Sequence, residues 1–270
     1  MIEDIWLGSE HRYKNYIASL NRFEEKIYPQ LALKASLDDY GSNPVTVEKA
    51  GKFSFINIKG DTLKDTTNYT RWMGTPTYED IHESIDNVEE DSSIEMAVFI
   101  INTYGGQAAG VKKLASRINS MKKTTVSFTP ENQKSAGMWY GSACDIRVAS
   151  PDASLGSIGV IAQLFTHEKH LEMEGISVHI ERSVPGKQVI NPNEALSDAG
   201  RALMRKGVTD IHNDFEKAMS GYLKIDRQVF SETIATGAEF SPKEALQLGL
   251  INYMMPLEEL VNRLAKLKGK

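Results

Sequence analysis

Cysteine is almost absent from this chain of 270 residues, because Cys144 is the only one. A single cysteine excludes an internal disulfide and any metal site built from several cysteines. Long apolar runs are missing too: the longest, Met96 to Ile101, is far shorter than the roughly 20 residues of a membrane-spanning helix. The N-terminus, Met1 to Asp4, is acidic and lacks the apolar stretch of a signal peptide. We therefore expect a cytoplasmic protein without a membrane anchor.

Strong charge of either sign is also lacking. The formal net charge is −5, so no broad basic surface is available for a nucleic-acid partner. Six histidines are present, but neither a His-Glu-x-x-His motif nor a paired-carboxylate motif accompanies them. We expect no nucleic-acid partner, no metal site and no cofactor.

The first 45 residues differ from the rest of the chain. Within residues 10–36, apolar side chains recur every three or four positions, which predicts an amphipathic helix. They are Ile17, Leu20, Phe23, Ile27 and Leu31. Asp38 to Pro44 is dense in turn-forming residues and predicts a linker. We therefore divide the chain into a helical N-terminal arm with its linker, residues 1–45, and a main domain, residues 46–270.

The main domain has the alternating pattern of an α/β fold. Met96–Asn102 is apolar up to its last residue, as expected of a strand buried on both faces of a parallel sheet. Gly105 and Gly106 then turn the chain into a helix, and Thr124–Thr129 forms the next strand, which completes a βαβ unit. Further predicted strands are Phe53–Ile58, Ile146–Ala149, Ser154–Val160 and Ile176–Ile180. We expect a helix over Tyr78–Val88, a polar loop over Lys59–Thr77 and a mainly helical C-terminal part, with a capping box at Ser241-Pro242-Lys243-Glu244.

Ser135 is the candidate nucleophile for acyl transfer. Taken alone, a serine that begins a helix is most simply an N-cap. A helix N-terminus also presents unpaired N–H groups and favours negative charge, so the N–H of Ala136 can face an oxyanion beside the nucleophile. Gly106 can supply a second donor, because no Cβ blocks close approach of its backbone. These three residues predict a nucleophile with an oxyanion hole.

Lys187 is the candidate general base. A lysine acts as a base near neutral pH only where burial disfavours its ammonium form. The apolar neighbours Val184, Pro185, Val189 and Ile190 could provide such surroundings, so we expect Lys187 to be buried. Ser157 could orient the amine by accepting a hydrogen bond. A Ser–His–Asp triad is the alternative, but His167 and His170 lie in a charged, helix-like stretch typical of a surface.

Four segments together carry a family resemblance. Lys134-Ser135-Ala136-Gly137 matches a nucleophile motif, and Gly156-Ser157-Ile158-Gly159-Val160 matches a characteristic strand. Ser183-Val184-Pro185-Gly186-Lys187 matches a lysine loop, and Gly237 to Ile251 matches a shared C-terminal block. Residues 50–255 thereby resemble the signal peptide peptidase A (protease IV) family. Within that family the chain is most similar to the capsid, or head maturation, proteases of tailed phages.

The resemblance implies a fold, a site and a set of partners. The implied fold is the Clp-protease/crotonase type of stacked ββα units. Ser135 would be the nucleophile, Lys187 the base and Ser157 the hydroxyl that positions it, with Gly106 and Ala136 as oxyanion hole. An extended protein or peptide substrate would lie beside the Gly156–Val160 strand and pair with it as an added strand, that is, by β-augmentation. The substrate-binding residues would be Gly105, Gly156, Ile158 and Gly159. Scaffold and capsid proteins are the implied substrates, and homo-oligomers are expected.

Three rival functions remain open. A housekeeping cytoplasmic peptidase would use the same chemistry on other substrates. A crotonase-like acyl-CoA enzyme would place a carboxylate at the reacting carbon, and Glu131 is the only acid near Ser135. An inactive assembly scaffold would use the fold without the reaction.

The family usually has proline where this chain has Tyr104, although both following glycines are present.

Overall fold

Short strands alternate with helices along the chain. The structure is a computed structural model that describes residues 5–7 and 44–266. The strands within these residues are β1 (Ile5–Leu7), β2 (Thr46–Ala50), β3 (Phe53–Lys59), β4 (Met96–Asn102), β5 (Gly106–Gln107), β6 (Thr124–Thr129), β7 (Asn132–Lys134), β8 (Ile146–Ala149), β9 (Ser154–Gly156), β10 (Ile161–Ala162), β11 (Glu239–Phe240) and β12 (Tyr253–Met254). The helices are α1 (Asn68–Met73), α2 (Tyr78–Glu90), α3 (Val111–Asn119), α4 (Ala136–Ser142), α5 (Glu168–Met173), α6 (Asp198–Leu223), α7 (Arg227–Thr233), α8 (Pro242–Gln247) and α9 (Leu257–Lys266).

A six-stranded sheet lies at the centre of the fold. Its strand order is β12-β8-β6-β4-β3-β2, and all neighbours are parallel except β2 with β3. Strand β4 is apolar along its length because both of its faces are covered. Ala97 and Phe99 belong to the main core on one face, whereas Val98 belongs to a second core on the other. Leu260 and Leu264 of α9 complete this second core.

Two three-stranded sheets lie beside the large one, with strand orders β11-β9-β7 and β10-β1-β5. The loop after β4 is joined to β7 by backbone hydrogen bonds. The N–H of Thr103 donates to the carbonyl of Asn132 at 2.8 Å, and the N–H of Lys134 donates to the carbonyl of Thr103 at 3.0 Å. The loops that follow β4 and β6 therefore meet beyond the carboxyl ends of these parallel strands. Ligand sites of open α/β sheets lie in that region.

Helix α4 begins at this junction and is fixed by the main core. The Trp139 ring stacks on the ring of Phe215 from α6, with centroids 4.5 Å apart. Two glycines let the helix approach its neighbours closely. A Cβ at Gly137 would lie 2.4 Å from Thr103 Cγ2, and one at Gly141 would lie 1.9 Å from Gln133 Nε2. Helix α4 thus packs directly against the loop after β4 and against β7.

Several predicted elements match the structure to the residue. Met96–Asn102, Thr124–Thr129 and Ile146–Ala149 are strands with the predicted bounds, and the predicted βαβ unit is present. The capping box that starts α8 is confirmed: Ser241 Oγ accepts from the N–H of Glu244, whose carboxylate accepts from the N–H of Ser241. Local capping chemistry and long apolar runs both specify structure without help from distant residues.

Other predicted elements were wrong. The polar loop Lys59–Thr77 contains helix α1, which starts with a capping box at Thr67. The predicted strand Ser154–Val160 is interrupted, because Gly156 and Ser157 have φ values of 119° and 53°. Ile176–Ile180 lacks strand pairing among residues 44–266. The helix expected after Gly105 and Gly106 is present as α3, although a two-residue strand, β5, precedes it.

The predicted helix of the arm, within residues 10–36, lies outside the described residues, and the boundary at residue 45 stays a prediction. Of the arm, residues 5–7 and 44–45 are described: Ile5–Leu7 forms a strand, β1, and Val45 is buried in the main core. Of the helices described, none has both the length and the apolar character that a bilayer crossing demands.

Candidate active site

Ser135 lies at the junction of β7 and α4 in a strained backbone conformation. Its φ and ψ are 48° and −113°, a region that non-glycine residues rarely adopt and that costs of order 1–3 kcal/mol. The hydroxyl does not cap the helix. Instead, Ser135 Oγ makes a long contact of 3.4 Å with the carbonyl of Gly159, and its N–H donates to the carbonyl of Gly156 at 2.9 Å. The simple N-cap interpretation of this serine is therefore wrong.

Gly106 is held in a closely packed loop beside the nucleophile's strand. A Cβ at this position would lie 2.1 Å from the backbone oxygen of Thr62, so no other residue fits without movement. Thr62 donates its N–H to the Gly105 carbonyl and accepts from the N–H of Gln107, both at 2.9 Å. The Thr103 hydroxyl lies 3.0 Å from both the N–H and the carbonyl of Gly105.

The polar groups of Gly106 face away from Thr62. The carbonyl of Gly105 and the N–H of Gln107 both bond to Thr62, which is the pattern of a parallel bridge centred on Gly106. Because successive residues of an extended strand direct these groups to opposite sides, the N–H of Gly106 is directed to the other side. Tyr78 secures the loop further, since its hydroxyl donates to the Gln107 carbonyl at 2.6 Å.

Ala136 is the first residue of α4 and is fully buried. The first N–H groups of a helix have no acceptor within the helix, so this amide is directed out of the N-terminus beside Ser135. The Ala136 amide thus lies beside Ser135, and helix α4 also contacts β5, the strand that contains Gly106.

The segment from Gly156 to Gly159 forms another wall of this region. Gly156 is confined by the 238–240 segment, since a Cβ there would lie 2.4 Å from the Ala238 carbonyl. The N–H of Ser157 donates to that same carbonyl at 2.7 Å. Ile158 is fully buried in the main core. Its side chain is therefore unavailable to a ligand, and only its backbone can take the substrate-binding role expected of it.

Lys187 lies in an exposed turn between α5 and α6. Its contacts stay local: its N–H donates to the Val184 carbonyl at 3.1 Å, and its carbonyl accepts from Arg182 Nε at 2.8 Å. Among the described residues, no hydrogen bond joins it to Ser135 or Ser157. The expectation that Lys187 is buried in apolar surroundings is wrong for the single chain, because residues 183–188 are all exposed and Val184 is 56% exposed.

A second lysine, which sequence reasoning missed, is buried next to Ser135, the candidate nucleophile. Lys134 is 2% exposed, and its Nζ bonds to the Ser154 hydroxyl and lies 2.8 Å from Glu239 Oε2. The hydrogen bond from Lys134 lowers the pKa of the Glu239 carboxyl below its usual value. Lys134, on β7, thus contacts Ser154 of β9 and Glu239 of β11 and links the three strands. Its amine is already bonded to these two residues. Its place beside Ser135 in the sequence was the available signal.

The rival catalytic groups are placed elsewhere. His167 and His170 are exposed at the start and middle of α5, as expected of surface histidines. The Glu131 carboxylate accepts from Asn102 Nδ2 at 2.9 Å. Burial raises the pKa of the Cys144 thiol far above its usual value, which disfavours a nucleophilic thiolate. Within residues 44–266, no group of three or more potential metal ligands comes together.

The fold places the protein in the Clp-protease/crotonase class. A ClpP1 variant from Listeria monocytogenes aligns with a TM-score of 0.50 and 13% identity over 76% of this chain and 92% of that one. A protein of the enoyl-CoA hydratase/isomerase family from Silicibacter pomeroyi also aligns with a TM-score of 0.50, at 16% identity, over 83% and 81% of the two chains. At such low identity these likenesses establish the fold alone. The predicted fold class is confirmed.

The chain belongs to peptidase family S49, whose profile matches residues 116–270. That match includes Ser135, Ser157 and Lys187. The resemblance to the signal peptide peptidase A family and its phage relatives is thereby confirmed.

Two curated phage proteins are among the relatives. The head-tail preconnector protein GP5 of Enterobacteria phage P21 is 23% identical over 237 residues, which is 86% of this chain and 47% of that protein. The capsid assembly protease C of Escherichia phage lambda is 26% identical over 209 residues, or 77% of this chain and 46% of that protein. The chain thus spans about half the length of these two relatives.

Proposed function

We propose that this chain is a serine endopeptidase that cleaves protein substrates through an acyl-enzyme, with Ser135 as nucleophile and Lys187 as general base. The observation that carries the proposal is the state of Ser135. Its hydroxyl is not used as a helix cap, its backbone is strained, and it directly precedes the first amide of helix α4. Strain of this kind persists where the surrounding structure enforces it, and it is concentrated at active sites.

The proposed reaction begins with proton transfer. The neutral amine of Lys187 takes the hydroxyl proton of Ser135 while Oγ bonds to the carbonyl carbon of the substrate. The carbonyl oxygen becomes an oxyanion and accepts hydrogen bonds from the N–H groups of Gly106 and Ala136. The C–N bond then breaks, and the Lys187 ammonium returns its proton to the leaving amine. Water, deprotonated by the same amine, releases the acyl group and restores Ser135.

The position of Lys187 adds a conformational requirement. In the single chain its turn is exposed, whereas a general base must lie within about 3 Å of the proton that it removes. We therefore propose that the turn at residues 183–188 closes over Ser135 and that substrate or a second copy of the chain covers it. Closure of a loop would also remove water from the amine and so favour its neutral form. In this proposal Ser157 positions the closed lysine through its hydroxyl.

We propose capsid and scaffold proteins as substrates, cleaved during the assembly of a phage head. The support is the similarity to the phage proteins GP5 and capsid assembly protease C over 86% and 77% of this chain. In this account the protein acts as a homo-oligomer in the cytoplasm of the host. A housekeeping peptidase would share the mechanism and differ in substrate.

Proteolysis of an unfolded test protein such as casein tests the chemistry. We expect Ser135→Ala to abolish cleavage, and Ser142→Ala, a buried serine of the same helix, to retain it. Lys187→Ala and Lys187→Arg should both be inactive, because the base requires a neutral amine. The matched control is Lys243→Ala, since Lys243 is an exposed lysine remote in sequence from the proposed dyad.

Cleavage that survives in Ser135→Ala would refute the nucleophile, and full activity in Lys187→Ala would remove lysine from the mechanism. Absence of cleavage and of active-site labelling in the wild type would favour the inactive assembly scaffold. Mass spectrometry of the products from candidate capsid and scaffold proteins then tests the proposed substrates.

A further inference from the structure

The third sheet includes a strand from the beginning of the chain. Strand β1 lies between β10 and β5 and runs antiparallel to both. Trp6 is opposite Ile161 on one side and Gln107 on the other, and Leu7 is opposite Gly106. Neighbouring strands are about 4.8 Å apart, so β5 and β10 leave a gap of about 10 Å, the width of one extended strand. The chain's own segment fills that gap.

The register of β1 relates it directly to the proposed oxyanion hole. The N–H of Gly106 is directed away from Thr62 and therefore toward β1, as the bonds of Gly105 and Gln107 to Thr62 require. Leu7 and Gly106 consequently form the hydrogen-bonded type of antiparallel pair, in which each carbonyl meets the other residue's N–H. The Leu7 carbonyl thus lies at an amide that we assign to the oxyanion.

The other side of β1 also borders the nucleophile. Strand β10 begins two residues after Gly159, whose carbonyl lies 3.4 Å from Ser135 Oγ. The strand between β5 and β10 therefore passes Ser135 with its backbone in the place that a substrate backbone would take.

We propose that Ile5–Leu7 occupies the substrate cleft of its own chain and competes with substrate for it. The blocking effect rests on the proposed function, because it assumes that Ser135 and Gly106 act on the strand bound there. A tethered strand has an effective concentration in the millimolar range, so it can exclude a weakly bound substrate without tight binding. Substrate must displace β1 before the reaction begins.

Disulfide trapping tests the placement without any need for activity. Hydrogen-bonded and non-hydrogen-bonded pairs alternate along an antiparallel ladder, so Trp6 and Gln107, next to the pair Leu7 and Gly106, form a non-hydrogen-bonded pair. The Cα atoms of such a pair are about 4.5 Å apart, a distance that a disulfide can bridge. We expect Trp6→Cys/Gln107→Cys to form an intramolecular disulfide on mild oxidation. The native Cys144 is buried and should not take part. The control Trp6→Cys/Tyr253→Cys uses an exposed position on β12, which does not pair with β1, and should not cross-link.

The cross-link is best formed in a Ser135→Ala background, so that self-cleavage cannot remove the segment. A non-reducing gel and peptide mass mapping give the result. No cross-link in the Gln107 pair would overturn the proposal. A cross-link between two chains would also overturn it, because another copy's segment would then occupy the cleft.

Labelling of Ser135 by a fluorophosphonate tests the competition. Oxidised Trp6→Cys/Gln107→Cys, with Ser135 intact, should label at least about tenfold more slowly than the reduced form, and reductant should restore the rate. Leu7→Pro removes the N–H that bonds to Gly106 and should speed labelling, by about tenfold if it weakens the strand by 1.4 kcal/mol. Leu7→Ala keeps that N–H and should change the rate less.

These outcomes separate the two proposals. If Ser135 is not labelled in any variant while the cross-link forms, the proposed function fails and the placement of β1 stands. If labelling is fast in the wild type and unchanged in both the oxidised pair and Leu7→Pro, the competition is refuted and the proposed function stands.

Discussion

Gly106→Ala is the substitution that separates the oxyanion hole from the rest of the site. The added Cβ would lie 2.1 Å from the Thr62 backbone oxygen, whereas an ordinary contact is at least 3.4 Å, so the loop must shift by about 1.3 Å. Gly106 has no positive φ, so the perturbation is steric and not conformational. A shift of this size takes the N–H out of hydrogen-bond reach of the oxyanion. Loss of one such donor lowers kcat by about 10²–10³-fold.

The assay is steady-state cleavage of a fluorogenic protein substrate, at a temperature where circular dichroism confirms that the variant is folded. Overpacking should also cost about 1–3 kcal/mol of unfolding free energy, so both measurements are needed. We expect the fall in kcat to exceed any change in KM. Gly221→Ala is the matched control: a Cβ there has no atom within 4 Å, and alanine favours the helix, so activity should be unchanged. A kcat for Gly106→Ala within about threefold of the wild type would refute the assignment of this amide.

Three further predictions concern stability. Ser135→Gly should be more stable than Ser135→Ala by about 1 kcal/mol of unfolding free energy, because glycine relieves the strain at φ 48°. Its urea midpoint should therefore be higher, and equal midpoints would argue against strain. Glu239→Gln should be less stable than the wild type at pH 7 by under about 1 kcal/mol, since the carboxylate is largely exposed. The hydrogen bond from Lys134 lowers the pKa of Glu239, so the stabilisation is present above the ordinary pKa of the carboxyl and is lost as the pH falls through the lowered pKa. The urea midpoints of the two proteins should therefore converge in acid, and a constant difference would contradict the ion pair. Phe215→Ala should cost about 3–5 kcal/mol, because the ring is fully buried and stacks on Trp139; a loss below about 1 kcal/mol would show that α6 does not anchor α4.

Elements whose structure is determined by local chemistry were predicted correctly from the sequence alone. Met96–Asn102 is apolar up to its last residue, so its composition marks it as a central strand, whereas Thr124–Thr129 is recognised by its β-branched and aromatic residues. The capping box at Ser241 is likewise local. The candidate nucleophile segment was identified from a serine at the start of a helix and from the motif Lys134-Ser135-Ala136-Gly137, and the glycines at 137 and 141 permit close packing of that helix.

The elements that sequence reasoning missed depend on distant partners. Strand β1 has three residues, too few for a periodic pattern, and exists through pairing with Gly106–Gln107 and Ile161–Ala162, which are distant along the chain. The interruption of Ser154–Val160 comes from the 238–240 segment, which binds Gly156 and Ser157 from more than eighty residues away. The burial expected of Lys187 was inferred from apolar neighbours in the sequence, but Val184 and Pro185 are themselves exposed, and Val189 and Ile190 are only partly buried.

The most direct test of the central claim is to label the folded wild-type protein with a fluorophosphonate and map the adduct by mass spectrometry of its peptides. We expect one adduct, on Ser135, at a rate that falls to background in folded Lys187→Ala and is unchanged in Lys243→Ala. An adduct on another residue, or an equal rate at Ser135 without Lys187, would contradict it.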